Sequence, residues 1–201
     1  MTIIKKLCIC ILLLVLFSLN IGCTNVGTTV RATHWGEEPM VILFMDVWAS
    51  PPTDIWNVTK NWYWYEWWEY KLVPNFKTKV LPLLEYARAN NIEVIFTTGG
   101  YELAPELNAD LIIDSGTQLD NYLKRRGITT IYYAGYASNL CILIRDTGMR
   151  TMDYLGYNVI LIEDCSLSVP RTSYSYEEAM YEINTKYGGT ITFAELKQLV
   201  E

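Results

Sequence analysis

Three short stretches bring together residue types that can do chemistry: Asp46-Val47-Trp48, Gly135-Tyr-Ala-Ser-Asn-Leu-Cys141 and Glu163-Asp164-Cys165. Each follows an apolar run. Cys141 is expected in the first turn of a helix, where unpaired backbone N–H groups and the helix dipole favour thiolate over thiol. An acid at a neighbouring strand end, such as Asp46, can take a proton from that thiol and return it. Together they suggest nucleophilic catalysis by a cysteine. Each also has a plainer reading, since Asp46 could cap a loop and Cys141, beside Leu140, Ile142, Leu143 and Ile144, could be small core packing.

The elements that would position these residues alternate along the chain. Val41-Ile-Leu-Phe-Met45 is a continuous apolar run, the pattern of a strand buried on both faces. Phe76, Val80, Leu83, Leu84 and Ala87 recur at helical spacing, with Asn90-Asn91 closing the helix and Pro82 marking a start or a bend. Ile92 to Thr97 and Leu111-Ile-Ile113 read as the next two strands, and a helix around Leu119, Tyr122 and Leu123 ends at Gly127. A fourth strand covers Thr130 to Ala134, and an apolar helix is expected from about Asn139 to Leu155. Then come a strand over Val159 to Ile162, a helix over Tyr176 to Thr185, and a short strand at Thr190-Ile191. A capping box in Thr192-Phe-Ala-Glu195 opens the last helix. This order predicts an α/β fold: one domain of three layers, a mainly parallel sheet with helices on both faces. Ligands in such sheets bind at the carboxyl ends of the strands, where the three stretches fall.

Here the sequence resembles the isochorismatase-like cysteine hydrolases, a family that includes nicotinamidases and several small amidases. Their first strand ends in Asp, as Val41 to Asp46 does. Their fourth runs into G-x-x-[ST]-[DN]-x-C, matched by Gly135, Ser138, Asn139 and Cys141, and the later G-Y-x-V-x-x-x-x-D stretch is matched by Gly156, Tyr157, Val159 and Asp164. The resemblance covers most of residues 40 to 200. It implies a nucleophilic Cys141, a proton-transferring Asp46 and an oxyanion hole from the backbone N–H groups of Ala137 and Cys141, usually with a cis peptide before Ala137. Asn139 and Trp48 complete the expected substrate-binding positions.

One family feature is missing. The resemblance implies a lysine in the loop and short strand before the second helix, yet no lysine or arginine occurs between Phe96 and Tyr122. Without a cation, Asp46 is harder to keep ionised. Lys77 and Lys79, at the start of the first helix, are the candidates to replace it. Arg145, one turn beyond Cys141, reads instead as a solvated or subunit-contact charge. The metal-binding histidines of nicotinamidases are also missing, since His34 is the sole histidine, so neither a metal nor another cofactor is expected, and nicotinamide is not the expected substrate. Cys165 reads as packing, with a disulfide to Cys141 as the alternative in an oxidising compartment. All seven tryptophans fall between Trp35 and Trp68, most in the segment 56–70. That segment reads either as a substrate lid or contact surface, or as a flap packed on its own domain.

The 201 residues suit one domain, and 51% hydrophobic content is enough for a real core. A net charge of −6 disfavours phosphate backbones, so nucleic-acid binding is not expected. Lys5 and Lys6, an apolar run from Leu7 to Phe17, and Ile21-Gly22-Cys23 have the order of a secretory signal, with Cys23 placed like the lipidated cysteine of a bacterial lipoprotein. The plainer alternatives are an ordinary cleaved signal or an uncleaved anchor. The expected organisation is a signal over 1–22, a tether over 23–39 and the hydrolase-like domain over 40–201, held at the cell envelope by an N-terminal anchor. Two functions follow: a hydrolase of a small amide or related C–N bond acting through Cys141 with Asp46, or a degenerate relative that keeps the pocket as a ligand-binding or interaction module. The resemblance also suggests a dimer or larger assembly.

Overall fold

In the computed structural model, residues 39–51, 62–170 and 172–201 are described. The signal, Cys23 and nearly all of the tether lie outside them. Strand β1 is Met40–Met45, buried from Val41 onward, and lies inside a parallel sheet with a neighbour on each side. The remaining strands are β2 (Glu93–Thr97), β3 (Thr130–Tyr136), β4 (Asn158–Leu167) and β5 (Thr190–Ile191). Their order is β2-β1-β3-β4-β5, every pair parallel. Side chains alternate along β1: Ile42 and Phe44 enter one apolar cluster, Val41, Leu43 and Met45 the other. Both faces of the sheet are therefore covered, which is why its strands are apolar runs and not alternating ones. The expected third strand is smaller than predicted. Ile112 makes a single parallel bridge beside Phe96, fixed by Phe96 N–H to Leu111 and by Ile113 N–H to Phe96.

The helix between β1 and β2, here α1, is longer than its periodicity suggests. Five helical segments follow without a break over residues 62–89, and two of them, Trp68–Leu72 and Phe76–Val80, are π turns. A proline follows each turn by two residues, Pro74 after the first and Pro82 after the second. Proline lacks an N–H and crowds the carbonyl four residues back. Widening the preceding turn gives the chain room to continue, so α1 passes through both prolines. The aromatic segment packs inward: Trp67 and Trp68 are buried, Trp67 Nε1 donates to the Ser168 carbonyl at 2.9 Å, and its ring meets Tyr136 edge-on. For these residues the packed-flap reading holds, whereas 52–61 lie outside the described residues.

Helix α2 is Gly116–Arg126. The single apolar helix expected from Asn139 to Leu155 is two, α3 (Cys141–Ile144) and α4 (Met149–Tyr154). The apolar spacing continues through Ile142, Leu143, Met149 and Met152, but Arg145 leaves helical geometry with ψ 162°. The break gives Asp146 a job, because its carboxylate accepts the Gly116 N–H at 2.8 Å at the start of α2. Helix α5 is Tyr176–Lys186 and α6 is Phe193–Val200, each opened by a capping box.

Candidate active site

β1 and β3 are neighbours, with Met45 in register with Gly135, so the residues following them meet at one sheet edge. Asp46 is fully buried at φ 56°, its N–H donating to the Thr97 carbonyl at 3.0 Å. Gly135, at φ 106°, makes this approach possible: a Cβ there would lie 2.1 Å from the Met45 carbonyl oxygen. Ala137 also takes a left-handed conformation, φ 61°, and its carbonyl accepts from the N–H groups of Leu140 and Ile142. The peptide bonds of the described residues are all trans, including the one before Ala137. The N–H groups of Ala137 and Cys141 have no protein acceptor among the described residues.

Cys141 and Asp46 come together on one guanidinium. The cation beside them is not a lysine. Arg145 donates from Nη1 to Asp46 Oδ1 at 2.6 Å and from Nη2 to Oδ2 at 2.8 Å, while Nη2 also lies 3.2 Å from Cys141 Sγ. The expectation that Arg145 is a surface charge is therefore corrected: its side chain is 22% exposed and faces inward. The signal for it was the i, i+4 spacing from Cys141, which puts both residues on one side of the chain. Lys79 does not take that place, since it pairs with Asp164 at 2.9 Å, and Lys77 is exposed.

Burial pushes the Asp46 carboxyl above its ordinary range, Arg145 and, less, the neighbouring Cys141 thiol pull it back, and the charge of Asp114 adds a smaller upward push. Burial and then the Asp46 charge push the Cys141 thiol up to about 12, with Arg145 opposing. Burial and Asp46 thus oppose the thiolate expected from a helix start, and the four-residue helix α3 does not offset them. Burial disfavours the charged Arg145, but Asp46 and Cys141 outweigh it and hold the guanidinium above its usual value. The resting site thus has a neutral thiol beside a carboxylate–guanidinium pair.

The other expected site residues are occupied elsewhere. The Asn139 amide nitrogen donates to Val169, Thr172 and Tyr174, and its oxygen accepts the Val169 N–H. Trp48 Nε1 donates to the Thr98 carbonyl at 3.0 Å, and its ring packs edge-on against Tyr101. Both hold loops that frame the site. Cys165 is buried and, like Cys141, a free thiol, so the two are not bridged.

Comparison with known proteins agrees with this geometry. Residues 102–195 match the isochorismatase domain model. Over 82 residues the chain is 29% identical to the ureidoacrylate amidohydrolase RutB of Azorhizobium caulinodans, a stretch covering 41% of this chain but only 34% of that relative. An isochorismatase-like hydrolase from Alkaliphilus metalliredigens superposes with a TM-score of 0.59 at 19% identity, covering 84% of this chain and 100% of the other. The nicotinamidase SaPncA of Staphylococcus aureus superposes with a TM-score of 0.57 at 16% identity, covering 78% and 98%. The five parallel strands and these superpositions show the isochorismatase-like fold, and the domain match over residues 102–195, which takes in the cysteine motif after β3, makes this stretch similar to the isochorismatase domain.

Proposed function

We propose that the protein hydrolyses a small amide or related C–N bond through Cys141, with Asp46 as the proton-transferring group. The observation that carries this is the convergence of Cys141 and Asp46, which follow adjacent strands, on the same Arg145 nitrogen: Asp46 Oδ2 lies 2.8 Å and Cys141 Sγ 3.2 Å from Nη2. Cys141 Sγ forms a bond to the substrate carbonyl carbon while its proton passes to Asp46. The N–H groups of Ala137 and Cys141 are free to receive the oxyanion. Collapse breaks the C–N bond, the proton on Asp46 goes to the departing nitrogen, and a thioester remains. Water then attacks the thioester, giving its proton to Asp46, which returns it to the sulfur as the acid product leaves.

Ureidoacrylate is the first substrate to try, given the relative's name, followed by a panel of small primary amides, with ammonia release as the readout. Cys141→Ser and Asp46→Asn are each expected to abolish turnover without unfolding the chain. Undiminished turnover in either variant refutes the mechanism. Residues 1–23 further support export and anchoring at Cys23. Mass spectrometry of membrane-extracted protein tests this: an acylated Cys23 at the new N-terminus is expected, and an unmodified peptide spanning Gly22-Cys23 would overturn it.

A further inference from the structure

Arg145 lies against Gly99 as well as Asp46 and Cys141. Gly99 sits at φ 60° in the loop after β2, and a Cβ there would come within 2.5 Å of Arg145 Nη2 and 2.6 Å of Nη1. Asp114 holds this loop in place, accepting from Thr97 Oγ1, from the N–H and hydroxyl of Thr98, and from the Gly99 N–H. The loop that carries no cation of its own therefore leaves space for one arriving from the segment after α3.

We propose that Arg145 is the third catalytic residue of this site, a permanent cation serving both Asp46 and Cys141 Sγ, seated in a slot that exists because residue 99 is glycine. The proposal rests on the Cys141–Asp46 reading above. Its physical content is charge balance. With thiol, carboxylate and guanidinium the cluster is neutral. When the proton moves from Sγ to Asp46, the thiolate, carboxylic acid and guanidinium are neutral too. The transfer thus adds no net charge to a buried site, where an uncompensated charge is costly. A guanidinium does not give up its proton, and its two-pronged contact fixes Asp46 in orientation. The groups bearing on this proton are Asp46, Cys141, Arg145 and, more weakly, Asp114.

Such a pair shares one proton over a wide range of pH, so thiolate is supplied by internal transfer and not by loss to solvent. Alkylation of Cys141 by iodoacetamide in the full chain, followed by peptide mass spectrometry, reads this directly. The wild-type rate is expected to be nearly flat from about pH 6 to about pH 9, whereas an isolated thiol gains about tenfold per pH unit below its pKa. Arg145→Met should replace the flat limb by the steep one, at least about tenfold slower at neutral pH, and Arg145→Lys should restore part of it. Gly99→Ala should also lower the flat limb by displacing the guanidinium. Gly100→Ala should not, since that residue has a positive φ of 90° but nothing within 4 Å of its added Cβ. If Arg145→Met does not fold, the Gly99 and Gly100 variants decide the matter. Equal rates in those two, or a wild-type profile in Arg145→Met, overturn the proposal. A flat wild-type limb in a protein that hydrolyses none of the amides would sink the proposed function and leave this assignment standing.

Discussion

At the scale of single residues, the site separates the Asp46–Cys141–Arg145 cluster from the groups that hold its frame. Asn139 stands two residues before Cys141, yet its amide is fully engaged with Val169, Thr172 and Tyr174. Asn139→Ala would leave the buried Val169 N–H and carbonyl without partners, at a cost of about 1–3 kcal/mol for each such group left unsatisfied. A lowered urea midpoint with an unchanged KM is expected; a raised KM at unchanged stability would mean that Asn139 meets the substrate after all. Asp46 and Cys141 were legible because their residue types and strand-end positions carry a chemical meaning. Arg145 was not, because a charge one helical turn beyond an apolar stretch is read by default as solvated. Only the burial of Asp46 supplies the reason for that charge to turn inward.

At the scale of elements, the strands of the sheet and helices α2, α5 and α6 announced themselves, whereas the course of α1 and the break between α3 and α4 did not. A strand buried on both faces is an apolar run with polar ends, so β1, β3 and β4 could be read off, although β3 and β4 extend farther than their runs. The interruption between α3 and α4 left the apolar spacing intact and showed only in Asp146-Thr147-Gly148, a turn-forming triplet whose partner, Gly116, is thirty residues away. Likewise the proline-tolerant turns of α1 depend on hydrogen bonding that side-chain periodicity does not encode. Two predictions belong here. Asp146→Ala removes the acceptor at the start of α2 and should cost about 1 kcal/mol in thermal unfolding, without changing Cys141 alkylation. Gly135→Ala places a Cβ against the Met45 backbone, which cannot yield as a side-chain tip would. It should destabilise by several kcal/mol, about as much as the largest single-residue effects. It should also slow Cys141 alkylation, because β1 and β3 part where Asp46 is held. A Gly135→Ala protein with wild-type melting would show that the strands can separate at no cost.

At the scale of the whole molecule, the acid response is set by carboxylates far from Cys141 as well as near it. Glu182 on α5 is buried and accepts two bonds from Arg150 on α4, at 2.7 Å each, plus the hydroxyls of Tyr174 and Tyr187 at 2.6 Å. Arg150 above all, then the two hydroxyls, hold this carboxyl down to about 2, against an ordinary value of 4.5. A carboxyl lowered in the folded state contributes stability that is complete above about pH 4.5 and disappears as pH falls towards 2. Asp46 runs the other way, since its folded value is raised from 3.8, so its contribution is present in acid and fades as pH climbs through the folded value. The Glu182 cluster ties α5 to α4, and α5 should therefore loosen as pH falls through that window. Glu182→Gln leaves Arg150 without its charge partner, but that side chain is 43% exposed and water screens it, so the cost should be about 1–2 kcal/mol at neutral pH. In the same variant, stability should fall less steeply between pH 4.5 and 2 than in the wild type, as read from urea midpoints across that window. If the two proteins lose stability in parallel over that window, the Arg150–Glu182 cluster is not what ties the fold to pH, and the acid sensitivity must come from the carboxylates nearer the sheet edge.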